Sequence, residues 1–446
     1  MEKLLIKNVV VFNTSSPVEI KRGVDVLVSD GVIEKVGANM EPEGAAVLDG
    51  KGRIMIPGNV VGHHHYYSAL SRGMILPHTG SQKDFIGTLQ NWWWKIDRAL
   101  DEKALYYSSL VASIESIKAG STGVIDHHAS PSFISGSLEV IAKGMEDVGI
   151  RGVTCFEVTN RNGGDDEERS GVEENVAFAS FVDEKRKENP RYLVESMIGA
   201  HAPFTISDGA LSLLKGAVEK TGRGLHIHVA EDSYDTSWSH HKYGKDITER
   251  LESFDLLDEK TLLVHGIALY PEEIERINSH SSYLAHNARS NMNNQVGYAS
   301  LIKNVKNLIL GTDGCGGNMF EEIRIAFFKG RDAKLGWWPS DYLGALAKGS
   351  VFLSKCFGNR IALGRVDEGY RGDLVLLDYK SPTPLVEENA ATHFVWGMDS
   401  SNVSSVIVDG KVLYDEKRFI GLDEDEIYSK AREEARKVWS RADSFK

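Results

Sequence analysis

The middle of the chain alternates between short apolar segments and longer stretches with helical periodicity, and this alternation limits the possible folds more than any other feature. Short apolar strands joined by helices form a parallel sheet with both faces covered. Eight such units predict a closed (β/α)8 barrel, the TIM-barrel architecture of the α/β class. The predicted strands begin at residue 59 and continue with 122–126, 151–158, 192–198, 224–229, 261–265, 282–286 and 307–312; predicted helices include 102–119, 137–148, 172–187 and 208–221.

Both ends of the chain are rich in β-type segments. Short strands within residues 3–50 are punctuated by turn dipeptides such as Asp30-Gly31, and further strands are predicted at 374–378, 403–408 and 411–413. We expect the two ends to pair into one small β-sandwich domain, residues 1–56 plus 360–446, with a terminal helix from 424 to about 440. The barrel, residues 57–359, would then be an insertion in that domain.

The composition excludes several classes of partner and location. The formal net charge is −13, which argues against nucleic acid or an anionic membrane surface as a partner. No apolar run reaches the roughly 18 residues of a membrane-spanning helix, and the first residues lack the apolar core of a signal peptide. The chain has three scattered cysteines, which form no disulfide framework. We therefore expect a cytoplasmic protein without a nucleic-acid or membrane partner.

Three consecutive histidines, His63 to His65, follow an apolar run that begins after Pro57-Gly58. Because successive side chains of a strand point to opposite faces, His63 and His65 share one face and His64 takes the other. Two imidazoles in this arrangement can chelate one metal ion. A triple histidine alone is equally consistent with a chance surface cluster, so the prediction depends on further ligands.

Further ligand-type side chains stand at the ends of later predicted strands. His228 ends strand five, with Glu231 just beyond it, and His265 ends strand six. Asp313 follows the apolar run of strand eight, where a buried carboxylate needs a cation or hydrogen-bond partners. His226 lies deeper in strand five, and we expect it to be a core histidine. Because functional groups of a barrel gather at the carboxyl ends of its strands, the sequence predicts one metal site with four ligands: His63, His65, His228 and Asp313.

This strand-end pattern resembles the amidohydrolase superfamily, and the resemblance covers nearly the whole chain. The pattern reads His-x-His at strand one, His-x-x-Glu at strand five, His at strand six and Asp at strand eight. It is similar to the mononuclear deaminase and chlorohydrolase branch, and most similar to the SsnA group of aminohydrolases. Matching landmarks lie at 55–58, 200–205, 311–314, 363–369, 372–374 and 406–412, and those similar to the SsnA group at 126–131 and 290–297.

The resemblance implies a metal-dependent aminohydrolase, of the EC 3.5 type, that deaminates a purine-like or related nitrogen heterocycle. A single ion is expected, because strand four lacks the lysine that bridges two metals in the binuclear branch. Three nitrogens and one oxygen suit Zn²⁺, with Fe²⁺ as the alternative. We expect Asp313 to take a proton from a water acidified by the ion, His265 to orient that water, and Glu231 to protonate the ring nitrogen. The resemblance also implies a homo-oligomer, a dimer or larger.

The substrate contacts are less fixed by the sequence. His201, after strand four, is expected to contact the substrate on the strength of the resemblance. His127 and His128, which end strand two, either line the pocket or are structural. Asn291, after strand seven, is a further candidate.

Two other features concern specificity. The tryptophans at 92–94 form, with Arg72, either a lid or pocket wall, or else a buried aromatic cluster or dimer contact. At strand seven, Asn287 and Arg289 stand where the branch usually has His-Cys-Pro, and they are expected to reshape the substrate end of the pocket.

Two other functions compete with deamination. The same site could hydrolyse a cyclic amide or another carbon–nitrogen or carbon–halogen bond. The chain could also be a catalytically idle metal- or ligand-binding protein, although the acid and base residues of an enzyme, Glu231, His265 and Asp313, are all present.

Overall fold

The computed structural model of the chain describes residues 2–445, and its first strands form part of a sheet outside the barrel. Strands β2 and β3 form the predicted hairpin, in which Ser29 faces Val32. Asp30 and Gly31 between them both have positive φ, 47° and 77°, which is the conformation that a two-residue type I′ turn requires. The strands of this part are β1 (Lys3–Asn13), β2 (Glu19–Ser29), β3 (Val32–Gly37), β4 (Ala46–Asp49) and β5 (Ile54–Pro57).

The following strands form the predicted barrel, and the fourth of them is interrupted. Strands β6 to β9 pair in parallel, and so do β10 to β14. Bridges between Val158 and Ala200 and between His64 and Asp313 join these two groups and close the barrel. Its strands are β6 (Asn59–His64), β7 (Ser121–Asp126), β8 (Arg151–Thr154), β9 (Val194–Ser196), β10 (Ile198–Ala200), β11 (Leu225–Val229), β12 (Leu262–His265), β13 (Tyr283–His286) and β14 (Leu308–Leu310).

The strands after the barrel return to the first sheet. Strand β15 pairs antiparallel with β5, so that Leu374 faces Pro57 at the start of the barrel. The combined nine-stranded sheet has the order β18-β17-β16-β15-β5-β1-β2-β3, with β4 paired to β1. The domain boundaries at residues 57 and 359 stay a prediction. The returning strands are β15 (Leu374–Leu377), β16 (Val403–Val408), β17 (Lys411–Asp415) and β18 (Arg418–Phe419).

Helices cover the outside of the barrel, and the last one packs on α3 and on the segment after β6. Residues 2–445 contain no helix that is both long and apolar enough to cross a membrane. The helices are α1 (Phe85–Thr88), α2 (Trp94–Arg98), α3 (Glu102–Lys118), α4 (Ser137–Val148), α5 (Asp165–Glu188), α6 (Asp208–Thr221), α7 (Ser233–Tyr243), α8 (Ile247–Glu252), α9 (Pro271–Ser279), α10 (Ala288–Asn293), α11 (Met319–Asp332), α12 (Pro339–Cys356), α13 (Ala390–Thr392) and α14 (Glu424–Ser444).

A buried group of charges, the base cluster, joins the amino-terminal end of the barrel to the nine-stranded sheet. Arg151, the first residue of β8, donates from Nε to Asp373 Oδ2 at 2.7 Å and from Nη2 to Asp409 Oδ1 at 2.9 Å. Arg191 donates to the other oxygen of Asp409 at 2.8 Å, and Arg371 also donates to Asp409. The two carboxylates are therefore fully paired by guanidinium groups without any further ligand.

Candidate active site and metal centre

The four predicted metal ligands converge at the opposite, carboxyl-terminal mouth of the barrel. Asp313 Oδ1 lies 2.9 Å from His65 Nε2 and 3.8 Å from His63 Nε2. The Nε2 atoms of His63 and His228 are 3.3 Å apart. Ligands about 2.1 Å from a tetrahedral ion are themselves about 3.4 Å apart, so these separations match a site for one ion.

Hydrogen bonds on the far side of each ring direct the Nε2 atoms into this space. Nδ1 of His65 and Nδ1 of His228 donate to the carbonyl oxygens of His127 and His201, at 2.6 and 2.9 Å. A carbonyl oxygen can only accept, so both rings carry their proton on Nδ1. His63 Nδ1 lies 2.9 Å from Nε2 of His226, the core histidine of strand five. Such outer contacts fix the tautomer and orientation of metal-binding imidazoles.

The chemistry of this ligand set fits a divalent cation. Burial lowers the pKa values of His63 and His228, that of His63 to about 3, so both rings are neutral and present lone pairs to each other. Burial also acts on Asp313, but the imidazoles of His65 and His63 outweigh it and hold the pKa of this carboxyl well below its usual range. Buried lone pairs and a carboxylate that face one another favour a shared cation.

The backbone at three of the strand ends is held in a sparsely populated conformation. Ala230, His265 and Asp313 have φ of 47°, 76° and 52°, the left-handed region that non-glycine residues rarely adopt. Asp313 is fixed there by its own carbonyl oxygen, which accepts a hydrogen bond from His64 Nδ1 at 2.6 Å. Strain of this kind is typical of functional sites, where the surrounding structure maintains it.

The three predicted catalytic residues form one group beside the ligands. His265 Nε2 lies 3.5 Å from Glu231 Oε2 and 3.8 Å from Asp313 Oδ2. Burial raises the pKa of Glu231, whereas the pKa of Asp313 is lowered. The two carboxyl groups thus have opposite protonation tendencies, as a proton donor and a proton acceptor require.

The predicted substrate residues divide into two groups. His201 lines the pocket above the ligands, together with His65, His228, Glu231 and Asp313. Its Nδ1 is held by Thr205 Oγ1 at 2.7 Å, which leaves Nε2 for a ligand.

The other three candidates make contacts around the pocket. Asn291 Oδ1 accepts a hydrogen bond from His265 Nδ1 at 2.8 Å, so this amide orients the His265 ring. His128 contacts Ser130 Oγ at 2.8 Å. The ring of His127 stacks 4.2 Å from that of His226, and neither of its nitrogens has a hydrogen-bond partner within residues 2–445.

The pocket contains acidic and basic residues that the sequence did not single out. Glu157, Arg161, Asp97 and Asn294 all contribute to its wall. Glu157 was missed because strand three was predicted as 151–158; the strand ends at Thr154, which leaves Glu157 beyond the strand end, where functional residues gather. Burial raises the pKa of Glu157 to about 7.

The tryptophan segment contributes directly to the pocket wall. Trp93 and Trp94 line the pocket, and the guanidinium of Arg161 stacks 4.8 Å from the Trp94 ring. Trp92 packs instead against the hydrophobic core. Arg72, for which the sequence left open a pocket wall or a contact elsewhere, forms an ion pair with Glu115.

The unusual residues of strand seven take different places. Arg289 is paired with Glu321 and Glu322 of α11, so it holds α10 in place beside the mouth. Asn287 is fully buried next to Gly311. Any side chain at Gly311 would collide with Asn287 and His63. This glycine therefore lets the strand-eight backbone approach β6, the strand that carries His63.

Comparison with known proteins identifies the family and the fold of the chain. Residues 54–413 match the model of the amidohydrolase family. A 5-methylthioadenosine/S-adenosylhomocysteine deaminase of Aquifex aeolicus is 32% identical over 460 residues, which cover 100% of both chains. A 5'-deoxyadenosine deaminase of Methanosarcina acetivorans is 28% identical, again over 100% of both chains. The crystal structure of an adenosine deaminase from Xanthomonas campestris with bound zinc superposes with a TM-score of 0.81, at 20% identity and 98% coverage of each chain.

Proposed function

The chain belongs to the amidohydrolase family and is a hydrolase of carbon–nitrogen bonds, and from this premise we propose that it removes the amino group of a purine-like heterocycle with the help of one Zn²⁺ ion. The observation that carries this proposal is that ligand atoms of His63, His65 and Asp313 lie within 4.8 Å of one another, with Nε2 of His228 3.3 Å from Nε2 of His63. Two relatives named as deaminases of adenosine derivatives, each matched over its full length, support an aminated purine as the substrate.

The proposed ion would be held by Nε2 of the three histidines and by the Asp313 carboxylate. When bound, it supplies Lewis acidity, which lowers the pKa of water at the site toward 7. The residues around it then have distinct tasks. Asp313, whose pKa is held low, accepts the proton of the attacking water, and His265, fixed by Asn291, orients that water toward the substrate carbon.

Glu231 is the proposed proton donor on the substrate side. Its pKa is raised by burial, and Nδ2 of Asn294 donates to its Oε1 at 3.3 Å, which fixes the orientation of the carboxyl group. A protonated Glu231 delivers its proton to the ring nitrogen next to the carbon under attack. The resulting carboxylate then takes the proton of the added hydroxyl group and passes it to the departing amine. Donation to the ring nitrogen makes the adjacent carbon electrophilic enough to accept water.

The pocket also accommodates the second candidate function, hydrolysis of a cyclic amide or another carbon–nitrogen or carbon–halogen bond. Water attack and proton donation to a leaving nitrogen use the same three residues. The two functions are therefore distinguished by which substrate reacts and not by the residues of the site.

An ammonia-release screen with metal analysis tests the proposal. The purified holoenzyme is assayed with adenosine, 5'-deoxyadenosine, adenine, guanine and 2,6-diaminopurine, and in parallel for ring opening of hydantoin. We expect ammonia release from at least one aminopurine, abolished by chelation and restored by Zn²⁺ more fully than by Fe²⁺. Ring opening without ammonia release would favour the second function. A metal-loaded protein inert on every compound would instead indicate an idle binding protein.

We also propose that the protein acts in the cytoplasm as a homo-oligomer. All three cysteines are free thiols, as in a reducing compartment. The exposed rings of Phe328 and Trp396 lie 5.0 Å apart and form an apolar patch suited to self-association. Light scattering coupled to size-exclusion chromatography would show a dimer or larger species.

A further inference from the structure

Glu157 differs from the other buried carboxylates within residues 2–445 because it accepts no hydrogen bond and pairs with no Arg or Lys side chain. Its side chain is 2% exposed, and its Oε1 atom receives no hydrogen bond from any described residue. By contrast, Glu174 accepts from the backbone of Gly136 and Leu138, and Glu322 from the guanidinium of Arg289. Buried polar groups are normally paired, so an unpaired carboxylate in a pocket indicates a missing ligand group.

The neighbours of Glu157 do not supply that group. Its Oε1 lies 3.3 Å from Nδ1 of His65 and 3.3 Å from Nδ1 of His127. The His65 proton is already donated to the His127 carbonyl oxygen. The ring of His127 has no hydrogen-bond geometry toward Glu157, and Nε2 of His201 is 3.9 Å from the other carboxylate oxygen.

The adjoining charges of the pocket wall are already matched to each other. Arg161 Nη2 lies 3.0 Å from Asp97 Oδ2, and both side chains are at least 95% buried. The guanidinium also covers the Trp94 ring. Arg161 is thus committed to Asp97 and Trp94, and Glu157 is left as the open acceptor on this side of the pocket.

We propose that Glu157 is a specificity-determining residue that accepts a hydrogen bond from an N–H or O–H group of the substrate. This inference rests on the proposed deaminase function and narrows its substrate class. Glu157 stands on the strand-three wall beside His65 and His201, whereas Glu231 stands across the mouth beside His265 and Asn294. The substrate is therefore a heterocycle that presents a donor on one side and the ring nitrogen to be protonated on the other.

The energetic argument predicts strong discrimination. A site that buries an acceptor for a substrate donor rejects the analogue without that donor, because the acceptor then stays unpaired. A donor-bearing substrate should thus be favoured at least about 10-fold in kcat/KM over its donor-free analogue. Glu157 faces Nδ1 of His65 and not the Nε2 atom that faces Asp313, so the proposed ligand atoms and acid–base residues keep their roles.

The test uses pairs of substrates that differ by one donor. The pairs are adenine and 9-methyladenine, 2,6-diaminopurine and adenine, and adenosine and 3'-deoxyadenosine, assayed with the wild-type holoenzyme and with Glu157→Leu and Glu157→Gln. We expect at least one pair to show the donor preference in the wild type. In Glu157→Leu, the ratio of kcat/KM for the donor-bearing substrate to that for the donor-free one should fall to within threefold of unity. In Glu157→Gln, part of the preference should remain, because the amide oxygen can still accept the hydrogen bond.

Glu174→Gln is the matched control, because this acid is buried, is paired with backbone N–H groups and lies outside the pocket lining. Glu174→Gln should leave the ratio of kcat/KM values within every substrate pair unchanged. Metal content is measured for all variants. The inference would be overturned if Glu157→Gln lowered kcat/KM equally for both members of each pair. It would also be overturned if the wild type held two ions per chain and this variant held one. Deamination itself would stand in either case. Absence of deamination by the wild type would overturn the proposed function and this inference with it.

Discussion

The two ends of the barrel both bury clusters of charged and polar side chains, but only one of them is complete. In the base cluster, the carboxylates of Asp373 and Asp409 are matched by the guanidinium groups of Arg151, Arg191 and Arg371. At the mouth, imidazole nitrogens and carboxylates face one another, and the atoms Nε2 of His265 and Oε1 of Glu157 have no hydrogen-bond partner within the described chain.

The difference shows how burial serves stability at one end and function at the other. A cluster whose two carboxylates are both paired with guanidinium groups holds the barrel to the nine-stranded sheet and needs no ligand. A cluster of ligand atoms with converging lone pairs is complete only when a cation and a substrate occupy it. Substitutions at the mouth should therefore change activity more than stability, and substitutions at the base the reverse.

The largest effect is expected at Asp313. Asp313→Asn removes a metal ligand and the proton acceptor together, so kcat/KM should fall by about 10⁴-fold or more, and the zinc content of the purified protein should fall with it. The free energy of unfolding of the ion-free chain should change less than in the base-cluster variant described below. Turnover within tenfold of wild type would contradict the assignment.

Glu231→Gln separates metal binding from proton donation. An amide cannot donate the proton that the ring nitrogen needs, so kcat should drop by about 10²–10⁴-fold, while the metal content stays at the wild-type value. Loss of the ion together with the activity would show that Glu231 is a ligand and not an acid. Stopped assays of ammonia release and elemental analysis of the same sample provide both readings.

Arg151→Met should give the opposite result at the base. It leaves Asp373 and Asp409 buried beside an apolar side chain, and removal of one partner of a buried ion pair reduces stability by about 3–5 kcal/mol. Urea unfolding measures this change. For the fraction that remains folded, kcat and metal content should equal those of the wild type. A variant that stays as stable as the wild type but loses activity would contradict the assignment of stability to the base and activity to the mouth.

The smallest effect concerns the pH dependence of stability. Burial alone would raise the pKa of Asp409, but Arg151 and Arg371 outweigh burial and hold this pKa below its usual value. A carboxylate with a lowered folded-state pKa stabilises the fold above its unfolded-state pKa of about 3.9, and this contribution is lost as the pH falls through the folded-state value. Asp409→Asn should therefore show a shallower loss of unfolding free energy below about pH 4 than the wild type. If the unfolding free energies of the two proteins fell equally steeply with pH, Asp409 would make no contribution to the acid sensitivity of the fold.

The sequence predicted the fold because its signals are local and repeated. The eight barrel strands are apolar runs between helical stretches, and the Asp30-Gly31 turn of the hairpin is set by two neighbouring residues. The break of strand four into β9 and β10 was not predicted, because the run from Tyr192 to Ile198 contains no glycine or proline and only Glu195 and Ser196 interrupt its apolar residues.

The proposed site was predictable where a ligand-type side chain coincides with a strand end. His63, His65, His228, His265 and Asp313 end apolar runs, so strand geometry alone gathers them. The base cluster has no such signal, since Arg151, Asp373 and Asp409 are far apart in sequence and look like ordinary charges.

The role of Asn291 shows a further limit of sequence reasoning. Its position after strand seven made it a candidate for substrate contact, but which neighbour its amide meets depends on how α10 packs. In the structure, the amide oxygen accepts the proton of His265 Nδ1. Side-chain partners of this kind follow from tertiary packing and not from spacing along the chain.

The central claim is that one cation is shared by groups from strands one, five and eight. The most direct measurement is an anomalous difference map from crystals of the purified protein, recorded above and below the zinc absorption edge. The account predicts a single peak about 2.0–2.2 Å from Nε2 of His63, His65 and His228 and from a carboxylate oxygen of Asp313. A peak bound by Glu157 and His127 instead, or no peak in catalytically active crystals, would contradict it.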